Sequence, residues 1–365
     1  STQSRSSAAS DVYKRQVYMY TDWHHPSPQM NQIIAEYLLS LFNAPGYVAS
    51  LSQNEELNNN ARRNFIGNEF KSLRLDAREL GEFTVFADIL TGVDKNTRSL
   101  NSRNVVAPGI GLGLAYRAGE GLDLGGAITL FTGDRHPSNQ LKYRHQSQGI
   151  TLFGQYKDPN GGLWGNAELH SSAEQMDDIK RSMQFLKKVR TERGETTGNT
   201  SGGSITLGYD IPMSSGLQEI CEQWFVSPYI RYGYDRYKVK GYTEKDNTST
   251  SMVFKDQDKK NKLVTIGTQF STQTQNADTN LDVSYTREAH PQEFIASGRL
   301  KNFAKGFSRS AKGISKERKG WLSITPSVEY KLPSKVVIYG NINYNYGSSK
   351  ATQLNSALGI KKNFK

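Results

Sequence analysis

The feature that most constrains the fold of this chain is a period-2 alternation that recurs from residue 82 to the C-terminus. Large apolar residues take every second position, and glycine or polar residues take the positions between them, as in residues 109–116 (GIGLGLAY) and residues 280–285 (NLDVSY). Such alternation predicts β-strands with one apolar face. We count about twelve such segments, and an even number of strands is typical of bacterial outer-membrane barrels.

The connections between these segments alternate between long and short. The long ones are residues 91–103, 133–146, 175–200, 243–260 and 288–319, the short ones are residues 118–120, 158–161, 273–276 and 332–334, and residues 212–223 are intermediate. A membrane barrel with short periplasmic turns and long outside loops produces this order. The strands of a soluble sandwich also alternate between apolar and polar residues. Its Greek-key connections, however, give no reason for long and short connections to alternate. We therefore predict an all-β fold, an about 12-stranded antiparallel transmembrane β-barrel.

Composition excludes several other classes. No stretch approaches the roughly 18 apolar residues of a membrane helix, which excludes a helical membrane protein. The 19 Tyr and 15 Phe argue against disorder, and a single Cys rules out a disulfide framework and a Cys-based zinc site. The net charge of +11 is carried by basic residues that share no nucleic-acid-binding motif. We expect no cofactor, no metal and no nucleic-acid partner.

Residues 52–80 are polar on almost every side of a helical projection. A helix of this kind does not suit a soluble core, but it suits a water-filled lumen. A flexible linker is the alternative, and the residues themselves favour neither.

The segment before it contains a possible catalytic pair. Apolar residues at helical spacing predict an amphipathic helix over residues 29–42, ended by Pro45 and Gly46. Just before this helix, Asp22 and His25 stand three residues apart on a predicted turn. Asp22 can hold the tautomer of His25, which then acts as a general base. The alternative is an ordinary solvated Asp and His near a helix start.

The string from Asp22 to Pro45, with its D-x-x-H-P sequence followed by AEYLLSL, resembles the last block of GDSL (SGNH-type) lipases and esterases. The resemblance implies that Asp22 and His25 are catalytic residues and that the intact protein hydrolyses an ester substrate. No G-D-S or G-x-N-D motif is present. We therefore expect the nucleophilic Ser and the oxyanion-hole residues to lie upstream, and this fragment to be inactive alone.

The polar helix, the strands and a terminal aromatic residue together resemble the translocator domain of autotransporters. Residues 354–364 alternate up to Phe364, which resembles the terminal signal read by the outer-membrane assembly machinery, although Lys365 follows it. The resemblance implies outer-membrane localisation, with a passenger facing the cell exterior. The implied architecture is a barrel with a polar helix in its lumen and a short α-helical passenger remnant at the N-terminus.

The implied division of the chain has four parts. Residues 6–16 (SSAASDVYKRQ) resemble the translation of a sequencing adapter, so residues 1–16 are left out of the fold. Residues 17–51 are the end of the esterase passenger, residues 52–80 the polar linker or lumen helix, and residues 81–365 the barrel. The true start of the protein is then expected further upstream.

Two further expectations concern the surface. Tyrosines near strand ends are predicted to form interfacial girdles; they are Tyr229, Tyr232, Tyr234, Tyr237, Tyr339, Tyr344 and Tyr346. Basic residues crowd the longest predicted loop, where they can pair with lipopolysaccharide phosphates or remain solvated; they are Arg299, Lys301, Lys305, Arg309, Lys312, Lys316, Arg318 and Lys319. Two other functions stay open from the sequence, a porin-like channel without an enzymatic passenger and a soluble all-β binding protein.

Overall fold

The computed structural model describes residues 19, 25–95, 103–213, 223–303, 308–313, 319–347 and 352–365. Two helices come first, α1 (Pro28–Val48) and α2 (Ser50–Leu75). The strands follow in chain order: β1 (Phe83–Lys95), β2 (Val105–Gly119), β3 (Leu122–Arg135), β4 (Leu141–Lys157), β5 (Leu163–Phe185), β6 (Lys188–Tyr209), β7 (Ile211–Pro212), β8 (Gln223–Val239), β9 (Tyr242–Thr243), β10 (Met252–Phe254), β11 (Gln257–Gln273), β12 (Ala277–Glu288), β13 (Ile295–Leu300), β14 (Ser308–Lys312), β15 (Gly320–Lys331), β16 (Val336–Gly347) and β17 (Thr352–Phe364).

Twelve of these strands form a closed antiparallel barrel in which chain neighbours are also spatial neighbours. They are β1 to β6, β8, β11, β12 and β15 to β17. The last strand returns to the first, because β17 pairs with β1 from Phe83↔Phe364 to Lys95↔Thr352 without a register break. Closure leaves the barrel no unpaired edge, as a bilayer requires. The predicted fold class is confirmed.

The alternation determines which side chains face outward. On β2, Ile110, Leu112 and Leu114 are exposed on the outer face, while Gly111 and Gly113 are buried on the inner face. Outward apolar residues recur on the other strands, including Leu169 on β5 and Ile266 on β11. In a bilayer this outer surface meets hydrocarbon, and the small inward residues leave room inside the barrel.

The predicted tyrosine girdle is correct in part. Tyr232, Tyr344 and Tyr346 are exposed on the outer face. Three of the predicted girdle residues instead face the lumen and are buried: Tyr229, Tyr237 and Tyr339. They occupy the inward phase of the period-2 repeat, which proximity to a strand end does not reveal.

The two ends of the barrel differ. The short turns, after β2 and β4 for example, lie at what we call the short-turn end, and the longer connections lie at the long-loop end. At the long-loop end, β9, β10, β13 and β14 form a separate four-stranded sheet, which we call the cap sheet. Two predicted loops, residues 243–260 and 288–319, therefore contain strands of their own. Of the predicted intermediate connection 212–223, residues 214–222 lie outside the described residues.

The predicted loop over residues 175–200 is wrong. There β5 and β6 continue as one long hairpin and pair as far as Phe185↔Lys188. The alternation breaks where the register shifts between Met176 and Ile179, next to Asp178 in the left-handed region at φ 51°. This bulge, set in a highly charged sequence, hides the strand from a period-2 search.

Helix α1 does not end at Pro45 as predicted. It includes Pro45 and reaches Val48, where Ala49, still in a right-handed helical conformation, leads directly into α2. The backbone N–H of Ala49 donates to the Pro45 carbonyl at 2.9 Å. Ala44 and Val48 are wholly buried in an apolar cluster with the cap sheet, and this packing offsets the hydrogen bond that proline cannot make. No helix in the described ranges combines the length and apolarity needed to cross a membrane.

Candidate functional site

The two sequence-predicted catalytic residues precede α1 in the sequence. His25 is exposed and stands three residues before the first helical residue, Pro28. Ser27 caps the helix, because its hydroxyl accepts a hydrogen bond from the Met30 N–H at 3.1 Å. Asp22 lies outside the described residues. The Asp22–His25 pair therefore stays a prediction.

Helix α1 is buried in its second half and exposed in its first half. Leu41, Ala44 and Val48 pack on the barrel and the cap sheet, and Leu41 is only 2% exposed. From Pro28 to Ser40 the burial of the helix is never complete, and Ile34, Leu38 and Leu39 are exposed there. We call these three residues the exposed stripe, and Leu38 is 44% exposed. The exposed stripe is therefore available to another part of the protein.

Polar contacts fix α1 to the long-loop end. The Tyr37 hydroxyl donates to the Ser249 carbonyl at 3.0 Å, in the connection between β9 and β10. The carboxylate of Glu36 accepts from the Leu186 N–H at 2.7 Å, at the tip of the β5–β6 hairpin. Two separate connections thus hold the helix from two sides.

Helix α2 continues into the lumen and runs from the long-loop end to the short-turn end. One side of it is apolar and includes Leu57, Phe65 and Phe70, packed on inward residues of β1 to β4. The small inward face of β2 makes this possible, because a Cβ added at Gly111 would lie 2.7 Å from the Phe65 ring. The helix therefore packs closely on the small inward residues of β2 and on the phenylalanines of the neighbouring strands.

Ion pairs also hold α2 to the barrel wall, beginning on β5 beside its apolar side. Arg62 donates to both carboxylate oxygens of Glu168 on β5, each at 3.2 Å. Further cations of the helix pair with acids of the barrel wall along the lumen: Arg63 with Asp235 at 2.5 Å, Lys71 with Asp282 at 3.4 Å, and Arg74 with Asp210 at 3.4 Å. Each ion pair compensates charges that are shielded from bulk water inside the closed lumen.

Amide side chains of α2 add neutral hydrogen bonds to the wall. Asn54 donates to the Tyr143 hydroxyl at 2.6 Å and Asn59 to the Tyr237 hydroxyl at 3.0 Å. At the short-turn end, Arg74 lies over the Trp164 ring, 4.3 Å from its centroid. The helix is thus attached along its whole length, which explains why an almost wholly polar sequence is ordered and buried.

A cavity of about 110 Å³ remains beside α2, on the side away from β1 and β2. Polar residues of the wall line it, among them Thr265, Ser323 and Asn343. Gly67 of the helix borders it, and nothing lies within 4 Å of a Cβ added there. The helix therefore leaves a space for a few water molecules on this side of the lumen.

The basic residues of the predicted longest loop make contacts within the protein. Lys301 donates to the carbonyls of Glu244 and Asp246 at 2.9 and 2.8 Å, and Lys312 pairs with Glu293 at 2.6 Å. The Arg309 guanidinium lies over the Phe42 ring of α1. Lys305, Lys316 and Arg318 lie outside the described residues. Lys301, Arg309 and Lys312 thus hold the cap sheet to its neighbouring connections and to α1.

Sequence reasoning missed the residues that hold the helix. Glu168, Asp235 and Asp282 occupy inward positions on barrel strands, and such charged inward positions are the available signal. Their partners on α2 are set by strand register and helix rotation, which a single sequence does not reveal. Within the described part of the chain, no group of three or more His, Cys, Asp or Glu side chains is placed to hold a metal ion.

These features define the class of protein first. A closed twelve-stranded barrel with an apolar outer face is an outer-membrane protein, and a helix of the same chain within its lumen is typical of a translocator domain. The family model for the autotransporter β-domain matches residues 94–343. The chain belongs to the autotransporter β-domain family, and the barrel lies in the outer membrane. A porin-like channel and a soluble binding protein are not favoured.

The chain is similar to a lipase and to an esterase. It is 23% identical over 347 residues to Lipase 1 of Photorhabdus luminescens, covering 95% of this chain and 50% of that protein. It is 26% identical over 283 residues to Esterase EstA of Pseudomonas aeruginosa, covering 76% of this chain and 42% of that protein. The translocator domain of the autotransporter NalP from Neisseria meningitidis shares the fold, with a TM-score of 0.62 and 12% identity over 84% of this chain and 98% of that chain. The chain thus spans about half the length of the curated relatives that it matches.

Proposed function

We propose that this chain is the membrane-anchored end of an autotransporter esterase, in which residues upstream carry the nucleophile. The observation that supports it most directly is the exposed stripe of α1, in which Ile34, Leu38 and Leu39 are exposed beyond the barrel. In the proposed protein this stripe is covered by the rest of the passenger. The names of the two relatives, a lipase and an esterase, agree with an ester substrate.

In the proposed reaction the upstream Ser attacks the ester carbonyl. His25 takes the Ser proton as general base and returns it to the leaving alcohol, while Asp22 holds the His25 tautomer and stabilises its charged form. His25 precedes a helix that is fixed to the long-loop end. A general base anchored in this way has a defined position relative to the barrel.

The proposal includes an orientation and a division of the chain. The long-loop end faces the cell exterior with the passenger, and the short turns face the periplasm. Residues 17–51 end the passenger, residues 52–80 cross the lumen, and residues 81–365 anchor the protein. Outer-membrane lipid and lipopolysaccharide surround the barrel, and the assembly machinery recognises the last strand through Phe364.

The first test is to determine the DNA sequence upstream of Val17 in the source sample. The proposal expects a signal peptide, a G-D-S motif close behind it and a G-x-N-D motif further on. In the intact protein, Asp22→Ala and His25→Ala are then expected to abolish ester hydrolysis and leave the amount of heat-modifiable barrel unchanged. An unrelated upstream domain, or undiminished hydrolysis in the His25 variant, would refute the esterase part of the proposal.

A further inference from the structure

The outer face of β8, β11 and β12 carries a group of cations near the long-loop end. We call it the outer cation patch, and its members are Arg236, Lys238, Lys260, Lys262 and Arg287. Each is at an outward position of the alternation, between buried inward neighbours, and each is exposed or half-exposed. The patch faces away from the lumen and has no role in holding α2.

The pairing of the strands concentrates this charge. Arg236 and Lys260 lie directly opposite each other on β8 and β11, and like charges in that position are unfavourable. Arg236 donates to both carboxylate oxygens of Asp258, at 2.9 and 2.5 Å. Asp258 lies opposite Lys238 and also interacts electrostatically with Lys238 and Lys260. Among the described residues, the structure shows no carboxylate partner for Lys262 and Arg287. On β4, by contrast, Arg144 lies opposite Asp134, with 3.6 Å between nitrogen and oxygen.

The neighbouring outward residues show where the patch lies along the membrane normal. Next to it along the same strands, Tyr232 and Tyr285 are about half exposed on the outer face, and Ile230 and Ile266 follow at 52% and 65% exposure. Tyrosines at outward positions mark the level of the lipid headgroups. The patch therefore begins two residues beyond Tyr285 and four residues beyond Tyr232, on the side away from the hydrocarbon, where headgroup phosphates are found.

We propose that the outer cation patch binds the phosphate groups of lipid headgroups in the leaflet at the long-loop end. Lys260 and Lys262 supply mobile ammonium donors, and Arg287 supplies a planar guanidinium fork from the neighbouring strand. A headgroup phosphate among them relieves the repulsion between the facing cations. The proposal rests on the membrane placement of the barrel and does not depend on the esterase activity.

The test uses this chain folded in neutral detergent micelles. Three additions are compared: a phosphorylated disaccharide glycolipid, the same glycolipid with its phosphates removed, and inorganic phosphate. The rise in apparent melting temperature is followed against the concentration of each, for the unchanged chain and for Lys260→Gln/Lys262→Gln. The matched control is Lys335→Gln/Lys362→Gln, which removes two exposed cations at the short-turn end.

We expect the phosphorylated lipid to bind and the dephosphorylated lipid to bind far more weakly. The patch variant should bind about 30-fold more weakly, since each cation near a membrane surface contributes about 1 kcal/mol. The control should bind as the unchanged chain does, and binding to the unchanged chain should weaken as salt is added. Equal affinity for the dephosphorylated lipid, an unaffected patch variant, or equal stabilisation by inorganic phosphate alone would overturn the proposal.

Discussion

Arg62 on α2 and Glu168 on β5 form a bidentate ion pair, and both side chains are almost wholly buried between helix and wall. The Arg62 Nη1 also lies 3.4 Å from the Thr151 hydroxyl, and Arg62 Nε donates to Asn59 at 2.9 Å. Nearly every donor of the guanidinium thus has a partner. The pair connects the helix to β5, next to the strands on which its apolar side packs, and it restrains the helix from turning.

Removing one member of this pair should strongly lower the free energy of unfolding. We expect Arg62→Met to lower the free energy of unfolding by about 3–5 kcal/mol, because Glu168 would be left as a buried, unpaired charge. The double variant Arg62→Met/Glu168→Leu should recover much of the loss. Reversible urea unfolding in detergent measures both. Lys245→Gln, at an exposed pair with Glu195, is the control and should change the value by less than about 0.5 kcal/mol.

Two glycines should respond in opposite directions to the same substitution. Gly111→Ala places a Cβ 2.7 Å from the Phe65 ring and should destabilise the filled barrel by about 1–3 kcal/mol. Gly67→Ala, within α2 and facing the cavity, should stabilise it by up to about 1 kcal/mol, because alanine favours the helix. Both are measured by urea unfolding. A helix that does not rest on β2 would tolerate the Gly111 variant.

The barrel could be predicted from sequence because the membrane imposes it. Lipid outside and a wall of small or polar groups inside force strict alternation, and each strand carries that signal by itself. The path of α1 through Pro45 could not be predicted, because it depends on the burial of Ala44 and Val48 under a sheet built from distant connections. The same holds for Arg62 and Glu168, whose separate positions suggest charges in a lumen but not their partnership.

The exposed stripe of α1 allows a test of passenger docking. In this chain alone, Leu38→Glu/Leu39→Glu should leave the free energy of unfolding within about 0.5 kcal/mol, since both side chains are largely exposed. Leu41→Ala on the buried face should cost about 2–5 kcal/mol. In the intact protein, the double variant should shorten the half-life of esterase activity on heating. An unchanged half-life would show that the stripe is not covered by the passenger.

The long-loop end should respond to acid through Glu192. This residue lies on the β5–β6 hairpin beyond Gly198↔Val239, the last pair of β6 with β8, and so outside the membrane. Burial raises the pKa of Glu192, but hydroxyl donors of the β9–β10 connection and the charge of Arg181 outweigh burial, so its pKa lies below the ordinary 4.5. The donors are Thr248, Thr250 and Ser251, the last at 2.7 Å.

The lowered pKa of Glu192 determines how stability changes with pH. A carboxylate with a depressed pKa contributes stability that is complete above pH 4.5 and is lost as the pH falls through the lower, folded-state pKa. A spin label at Asn247, an exposed residue of the connection, should become mobile over that range and recover at neutral pH. The Glu192→Gln variant should show no transition there. A transition of the same size in that variant would assign the effect to another group.

The final strand offers a test of assembly. Phe364 is exposed on the outer face at the short-turn end and pairs opposite Phe83 on β1. Phe364→Ala removes little buried contact, so folding of the purified chain in detergent should be nearly unchanged. In cells, the same change should lower the amount of folded barrel in the outer membrane several-fold, because the terminal aromatic is the proposed recognition signal. Tyr330→Ala, at an exposed aromatic near the same end of β15, is the matched control and should assemble normally. Heat-modifiable migration of membrane fractions measures both, and equal assembly of the two variants would contradict a role for Phe364 in recognition.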